Sequence, residues 1–158
     1  MRVEYINPFV ESAYNILTEV LNEEVKRGDL YLKNTAMPML GIAAIVGLAG
    51  DVEGRVLFDM THDTGIKIAS AMLTSMDMEP VTEMNDMARA TLTELANMIT
   101  GQAVTKLHNL GFKFDLTPPA IFTGDNMTVS DPSFEALIVP MELPMGRIEI
   151  NVAVRERT

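Results

Sequence analysis

With 158 residues, 47% of them hydrophobic and 22% charged, the chain has the balance of one folded domain long enough to bury a core. Its net charge of −10 repels polyanions, and no basic run or basic–aromatic interleaving appears, so nucleic acid and anionic membrane are poor partners and a protein with basic surface is a better one. Cysteine is absent, which removes disulfides, thiolate metal sites and a thiol nucleophile; no apolar run reaches a membrane span and Met1-Arg2-Val3-Glu4-Tyr5 is no signal region, so a cytoplasmic location is expected.

Asn7-Pro8 predicts a helix start, with Asn7 as N-cap and Pro8 at the first helical position. Phe9, Ala13, Ile16, Leu17, Val20 and Leu21 then recur at helical spacing, and Gly28 is the expected stop. Leu30 to Leu32 reads as a short strand. After the break at Pro38, Gly41 to Leu48 is an apolar run suited to a buried strand. Gly50-Asp51-Val52-Glu53-Gly54 supplies turn chemistry and Arg55 to Met60 resumes as a strand, which predicts a β-hairpin. These glycines make no phosphate loop, because no Gly-Lys-Ser/Thr follows and the next element reads as a strand.

Thr61 or Asp63 can cap a second helix that runs to about Met76. A third and longest helix opens at Val81 or Asn85 and runs to Asn109, with Gly111 as its C-terminal stop. Of thirteen methionines, Met72, Met76, Met78, Met84 and Met87 cluster around Pro80. Such a cluster forms either an adaptable binding surface or flexible core filling, and helical spacing favours the core. Beyond Pro118-Pro119 the chain turns to β character. Ala120 to Thr123 is a short strand, Gly124-Asp125-Asn126 a turn, and Phe134 to Met141 and Gly146 to Arg155 are longer strands. Pro140 implies an edge position or a bulge. In the last strand Ile148, Ile150, Val152 and Val154 point to a core, with Arg147, Glu149, Asn151 and Arg155 expected in water. The element order predicts an α+β domain, a largely antiparallel sheet with helices packed on it and a long central helix carrying the site. A weak helix-plus-hairpin repeat aligns Phe9–Leu21 with Leu92–Val104, matching Glu11 to Glu94 but placing Tyr14 where Asn97 stands.

Familiar catalytic sets are missing. His62 and His108 show no metal-ligand spacing, and there is no Gly-x-Ser-x-Gly elbow or Gly-x-Gly-x-x-Gly turn. The long helix holds the one distinctive constellation. At 100° per residue Ala90, Glu94, Asn97 and Gly101 fall within about a 60° sector, opposite Ala88, Leu92, Leu95 and Ile99. An acid and a carboxamide flanked by two very small residues form a surface that a partner can approach closely; an ordinary solvated helix face is the bland alternative.

The stretch Glu94-Leu95-Ala96-Asn97-Met98-Ile99-Thr100-Gly101-Gln102-Ala103, followed by Pro118-Pro119, resembles the CheX/CheC/FliY family of chemotaxis phosphatases, and the hairpin Val46 to Val56 resembles the CheX branch. The resemblance implies a CheC-like fold and hydrolysis of the aspartyl phosphate on a CheY-like response regulator. It implies that Asn97 positions the attacking water and that Glu94 docks to the receiver's active-site Lys. Ala90 and Gly101 would let the receiver's loops close over the helix. No cofactor of the chain's own is implied; Mg²⁺ is held by the receiver. A homodimer is also implied. The family position four before Glu94, usually Asp or Ser, is Ala90 here, and Tyr14 on the first helix implies one active site per chain. The rival reading is a non-catalytic adaptor or switch module that docks a receiver without dephosphorylating it.

Overall fold

The computed structural model describes residues 3–33, 38–128 and 135–157. Within them lie three helices, α1 (Val3–Leu21), α2 (His62–Ser75) and α3 (Asp86–Asn109). The strands are β1 (Lys26–Arg27), β2 (Tyr31–Lys33), β3 (Ile42–Gly50), β4 (Val52–Met60), β5 (Phe114–Leu116), β6 (Ala120–Thr123), β7 (Ala136–Leu143) and β8 (Gly146–Glu156). The expected strand start at Phe134 lies outside the described residues.

All eight strands pair antiparallel in one sheet of order β1-β7-β8-β4-β3-β5, with β2 also on β7 and β6 also on β3. The order is its own mirror. The unit α1-β1-β2-β3-β4 and the unit α3-β5-β6-β7-β8 occupy equivalent places about the central β4–β8 pair, with α2 linking them. The weak repeat in the sequence is thus a repeat of topology. Both outer ribbons carry a one-residue bulge: Lys26 pairs Glu142 while Tyr31 pairs Ile138, and Leu116 pairs Leu48 while Ala120 pairs Ile45. Pro140 faces the first gap, where its carbonyl accepts from Gly28 N–H at 2.8 Å, and Pro118-Pro119 span the second. Prolines, which cannot donate to a ladder, sit where a ladder is interrupted.

The three helices cover one face of the sheet. Phe9, Ala13 and Leu17 of α1, Ile68 and Met72 of α2, and Leu92, Leu95 and Ile99 of α3 pack on Val56, Phe58, Ile150 and Val152 in one core. Helix α1 begins earlier than Asn7-Pro8 predicts, and Pro8 lies inside it. Tyr5 and Ile6 are buried, with the Tyr5 ring edge-on to Phe112 at 5.1 Å. Burying two large side chains, about 1.5–3 kcal/mol each, offsets a cost of about 3 kcal/mol for an interior proline. The helix also stops sooner than Gly28. Asn22 takes φ 51° and donates its N–H to Thr18 O at 3.0 Å, the left-handed cap that Asn tolerates.

Gly54 explains the hairpin glycines without any ligand. It has φ +136°, and a Cβ there would lie 2.0 Å from Ala153 O, so only glycine lets β4 approach β8. The other side of β8 is in water at Arg147 and Arg155, as expected, but not between them. Glu149 and Asn151 are only 7% and 4% exposed. The segment from Met39 crosses that face, packing on Ala43 and Leu57, and Leu40 N–H donates to both Asp59 carboxylate oxygens at 3.0 and 3.1 Å. Arg55 donates to Asn151 Oδ1 at 2.9 Å, and the Tyr31 hydroxyl donates to Glu149. These polar groups are buried because each has a partner.

Burial, and then the hydrogen bond to Glu149, pushes the Tyr31 phenol up from 10.0 to about 12. Native Tyr31 therefore keeps its proton where the unfolded phenol has lost it. Its contribution to stability is whole below pH 10 and is lost as pH rises through about 12. Tyr31→Phe should accordingly lose less stability than the parent protein between pH 10 and 12 in urea unfolding. Parallel pH profiles for the two proteins would contradict this.

Candidate functional site

Helix α3 starts at Asn85, not Val81. The Asn85 side chain accepts from Ala88 N–H at 2.9 Å, Asp86 occupies the first turn, and Lys106 and His108 occupy the last, each favourable to the helix dipole. Gly111, with φ +97°, ends it as expected. The helix buries Ala88, Leu92, Leu95, Ala96, Ile99, Ala103 and Leu107 between the sheet and the other two helices. That burial fixes its rotation. Ala90, Glu94, Asn97 and Gly101 emerge together as an exposed strip.

The strip is open to solvent. A Cβ added at Gly101 would meet nothing within 4 Å, and Ala90 contributes a single methyl. One groove reaches Glu94, but neither it nor the cavity beside His108 and Phe114 is lined by Asn97. Nearby hydroxyl protons are engaged: Thr93 donates to Arg89 O at 2.8 Å, Thr91 to Met87 O at 2.7 Å and Thr100 to Ala96 O at 2.7 Å. His108 lies about 16 Å further along the helix, edge-on to Phe114 at 5.3 Å, while His62 opens α2 beside Gly41. Among the described residues no three His, Asp or Glu side chains gather as a metal site. The pair thus has an acid, an amide and open space. A carboxamide donates and accepts hydrogen bonds at once, so it can orient a water molecule, but nothing around it encloses a substrate.

The topological counterpart on α1 differs. Glu11 is held by Lys106 Nζ at 3.2 Å, and Tyr14 replaces the amide. Pro118-Pro119, part of the sequence resemblance, belong to the sheet edge between β5 and β6. The methionine cluster is divided. Met72 is core, whereas Met76, Met78 and Met87 are exposed along the groove that ends at Glu94. Core filling was the expectation for all five; the turn after α2 brings Met76 and Met78 to the surface, and Met87 lies on the exposed face of α3.

The family model described as "Chemotaxis phosphatase CheX" matches residues 42–142, a span that includes the whole strip and Pro118-Pro119. The chain is 26% identical over 129 residues to the CheY-P phosphatase CheX of Thermotoga maritima, covering 82% of this chain and 81% of that protein. It is similar to the CheX in the CheX–CheY–BeF3–Mg²⁺ complex from Borrelia burgdorferi, with 42% identity and a TM-score of 0.83 over 98% of this chain and 100% of that one. A CheC-like superfamily protein from Shewanella sp. PV-4 superposes with a TM-score of 0.86 at 26% identity, over 98% and 99% of the two chains.

Glycine inside a helix costs about 0.5–1 kcal/mol relative to alanine, and at Gly101 the fold offers no reason to bear that cost, since the space above it is empty. Gly101→Ala should raise stability by about 1 kcal/mol in urea unfolding. A loss of stability would mean that the fold itself needs glycine there.

Proposed function

The chain belongs to the CheX family of chemotaxis phosphatases, and from that premise we propose that it hydrolyses the aspartyl phosphate of a CheY-like response regulator in the cytoplasm, as a single CheX-like unit. The observation that carries the reading is the exposed acid–amide pair on α3 with bare flanks at Ala90 and Gly101. A pair of that shape fits into another protein's cleft. Support comes from the relative of Borrelia burgdorferi solved together with CheY, BeF3 and Mg²⁺.

Phosphoryl transfer needs a positioned nucleophile and charge stabilisation more than covalent chemistry from the enzyme. In the proposed complex Asn97 enters the receiver's pocket, and its carboxamide holds a water in line with the bond to be broken. The water oxygen attacks phosphorus, the receiver's aspartate leaves as carboxylate, and the water's protons pass to phosphate and solvent. Glu94, one turn away, pairs with the receiver's Lys and sets the depth of insertion. Mg²⁺, carried by the receiver, neutralises charge on the phosphoryl oxygens. Catalysis of this kind depends on placement, and a helix anchored along its whole buried face supplies it. With Tyr14 on α1, each chain carries one such face, and we propose that two chains associate as a homodimer.

Asn97→Ala should abolish accelerated phosphate loss from an acetyl-phosphate-loaded CheY-like receiver, while circular dichroism remains that of the parent. Unchanged dephosphorylation in this variant would sink the mechanism. Glu94→Ala should raise the receiver concentration needed for half-maximal rate, and Glu94→Lys should raise it further by setting like charges together. Ala90, where the family usually has Asp or Ser, is the feature that favours a binding-only adaptor. Tight binding of the loaded receiver without faster phosphate release would establish that role instead.

A further inference from the structure

Helix α2 does not end at random. Met78 N–H bonds Leu73 O at 2.9 Å and Asp77 N–H bonds Thr74 O at 3.0 Å, with Asp77 at φ 58°. This paired left-handed cap folds the chain back on its own last turn. It presents Met76 and Met78 across a groove to Met87 at the start of α3. The groove has a volume of about 590 Å³, with Met98, Ala90 and Glu94 on its α3 wall. Met76, Met78 and Met87 are 57%, 42% and 47% exposed, three large apolar side chains in one patch.

We infer that this groove seats an apolar side chain of the receiver, one flanked by a Lys or Arg on the receiver's surface. The inference rests on the receiver reading above and extends it to where the binding energy comes from. Three observations support it. Ala90 and Glu94 belong both to the groove and to the exposed strip, so a protein seated on the strip already reaches the groove. The strip itself is a poor source of affinity, for its flanks are Ala90 and Gly101, whereas a specific interface buries about 800 Å² on each side and concentrates its energy in a few anchored side chains. Finally, Glu19 of α1 brings to the groove a carboxylate besides the one that Glu94 gives to the receiver's active-site Lys, and no basic residue lines it, which selects a basic group beside the apolar one. Methionine suits the task, since its flexible thioether adapts to the side chain it receives.

The test uses the double variant Met76→Gln/Met87→Gln, at exposed positions whose change leaves the core intact, with Borrelia burgdorferi CheY loaded by acetyl phosphate as probe. The concentration for half-maximal dephosphorylation should rise about tenfold, a loss of about 1.4 kcal/mol, with the maximal rate within about twofold of the parent. Leu110→Gln, an equally exposed residue away from the groove, serves as control and should change neither quantity. An unaltered half-maximal concentration in the double variant overturns the groove while leaving the Asn97 mechanism standing. If the parent protein accelerates nothing, the phosphatase reading fails for this receiver, and calorimetry with BeF3-loaded CheY decides the groove. Weaker binding by the double variant then supports it; equal binding, or no binding by the parent, overturns it.

Discussion

The pairing of β4 with β8 is the constraint on which the rest of the molecule depends. Val52 through Asp59 run against Glu156 through Glu149 without a break, and this seam joins the two topological halves. Gly54 makes the seam tight enough to exist. On one side it offers Val56, Phe58, Ile150 and Val152 as a floor for the helices. On the other it carries Asp59, Glu149 and Asn151, whose partners reach in from Leu40, Tyr31 and Arg55. Alternation along a strand makes both faces obligatory once the register is set.

That floor dictates how α3 lies. Leu92, Leu95 and Ile99 are buried, and a helix rotated by one residue, about 100°, would drive Glu94 into the apolar interior. The strip from Ala90 to Gly101 is therefore aimed by the core. Its acid and its amide, Glu94 and Asn97, ride on a rigid element, whose geometry is held by packing rather than by contacts within the strip. Helix ends near the strip are held equally firmly, by the Asn85 cap at one end and the Asp77 turn of α2 beside it.

Much of this was legible in the sequence because it is local. The Thr61 cap, the Asn85 cap, the Gly111 stop and the span Ala120–Thr123 each rest on neighbouring residues and match the structure. The 100° arithmetic placed Ala90, Glu94, Asn97 and Gly101 on one face, and they share one. Features set by distant chain were not legible. Asn7-Pro8 reads as a helix start until Tyr5 finds Phe112. Glu149 and Asn151 look solvated until Tyr31 and Arg55 come to them. The two-residue β1 and three-residue β5 are too short to show a period and exist because β7 and β3 have free edges. The exposure of Met76 and Met78 depended on a left-handed aspartate that composition does not announce.

The ion pair between Glu11 and Lys106 has a consequence for how such a chain can change over time. Because α1 and α3 hold equivalent places, a second acid–amide pair would seem to lie one substitution away, at Tyr14. It does not, for Glu11 already answers to a lysine on the other helix. An amide gained at residue 14 would stand beside an acid already turned toward Lys106. The place on α1 that mirrors the strip therefore differs from it at two points, the ring of Tyr14 and the tether on Glu11, and both would have to change before the two faces matched.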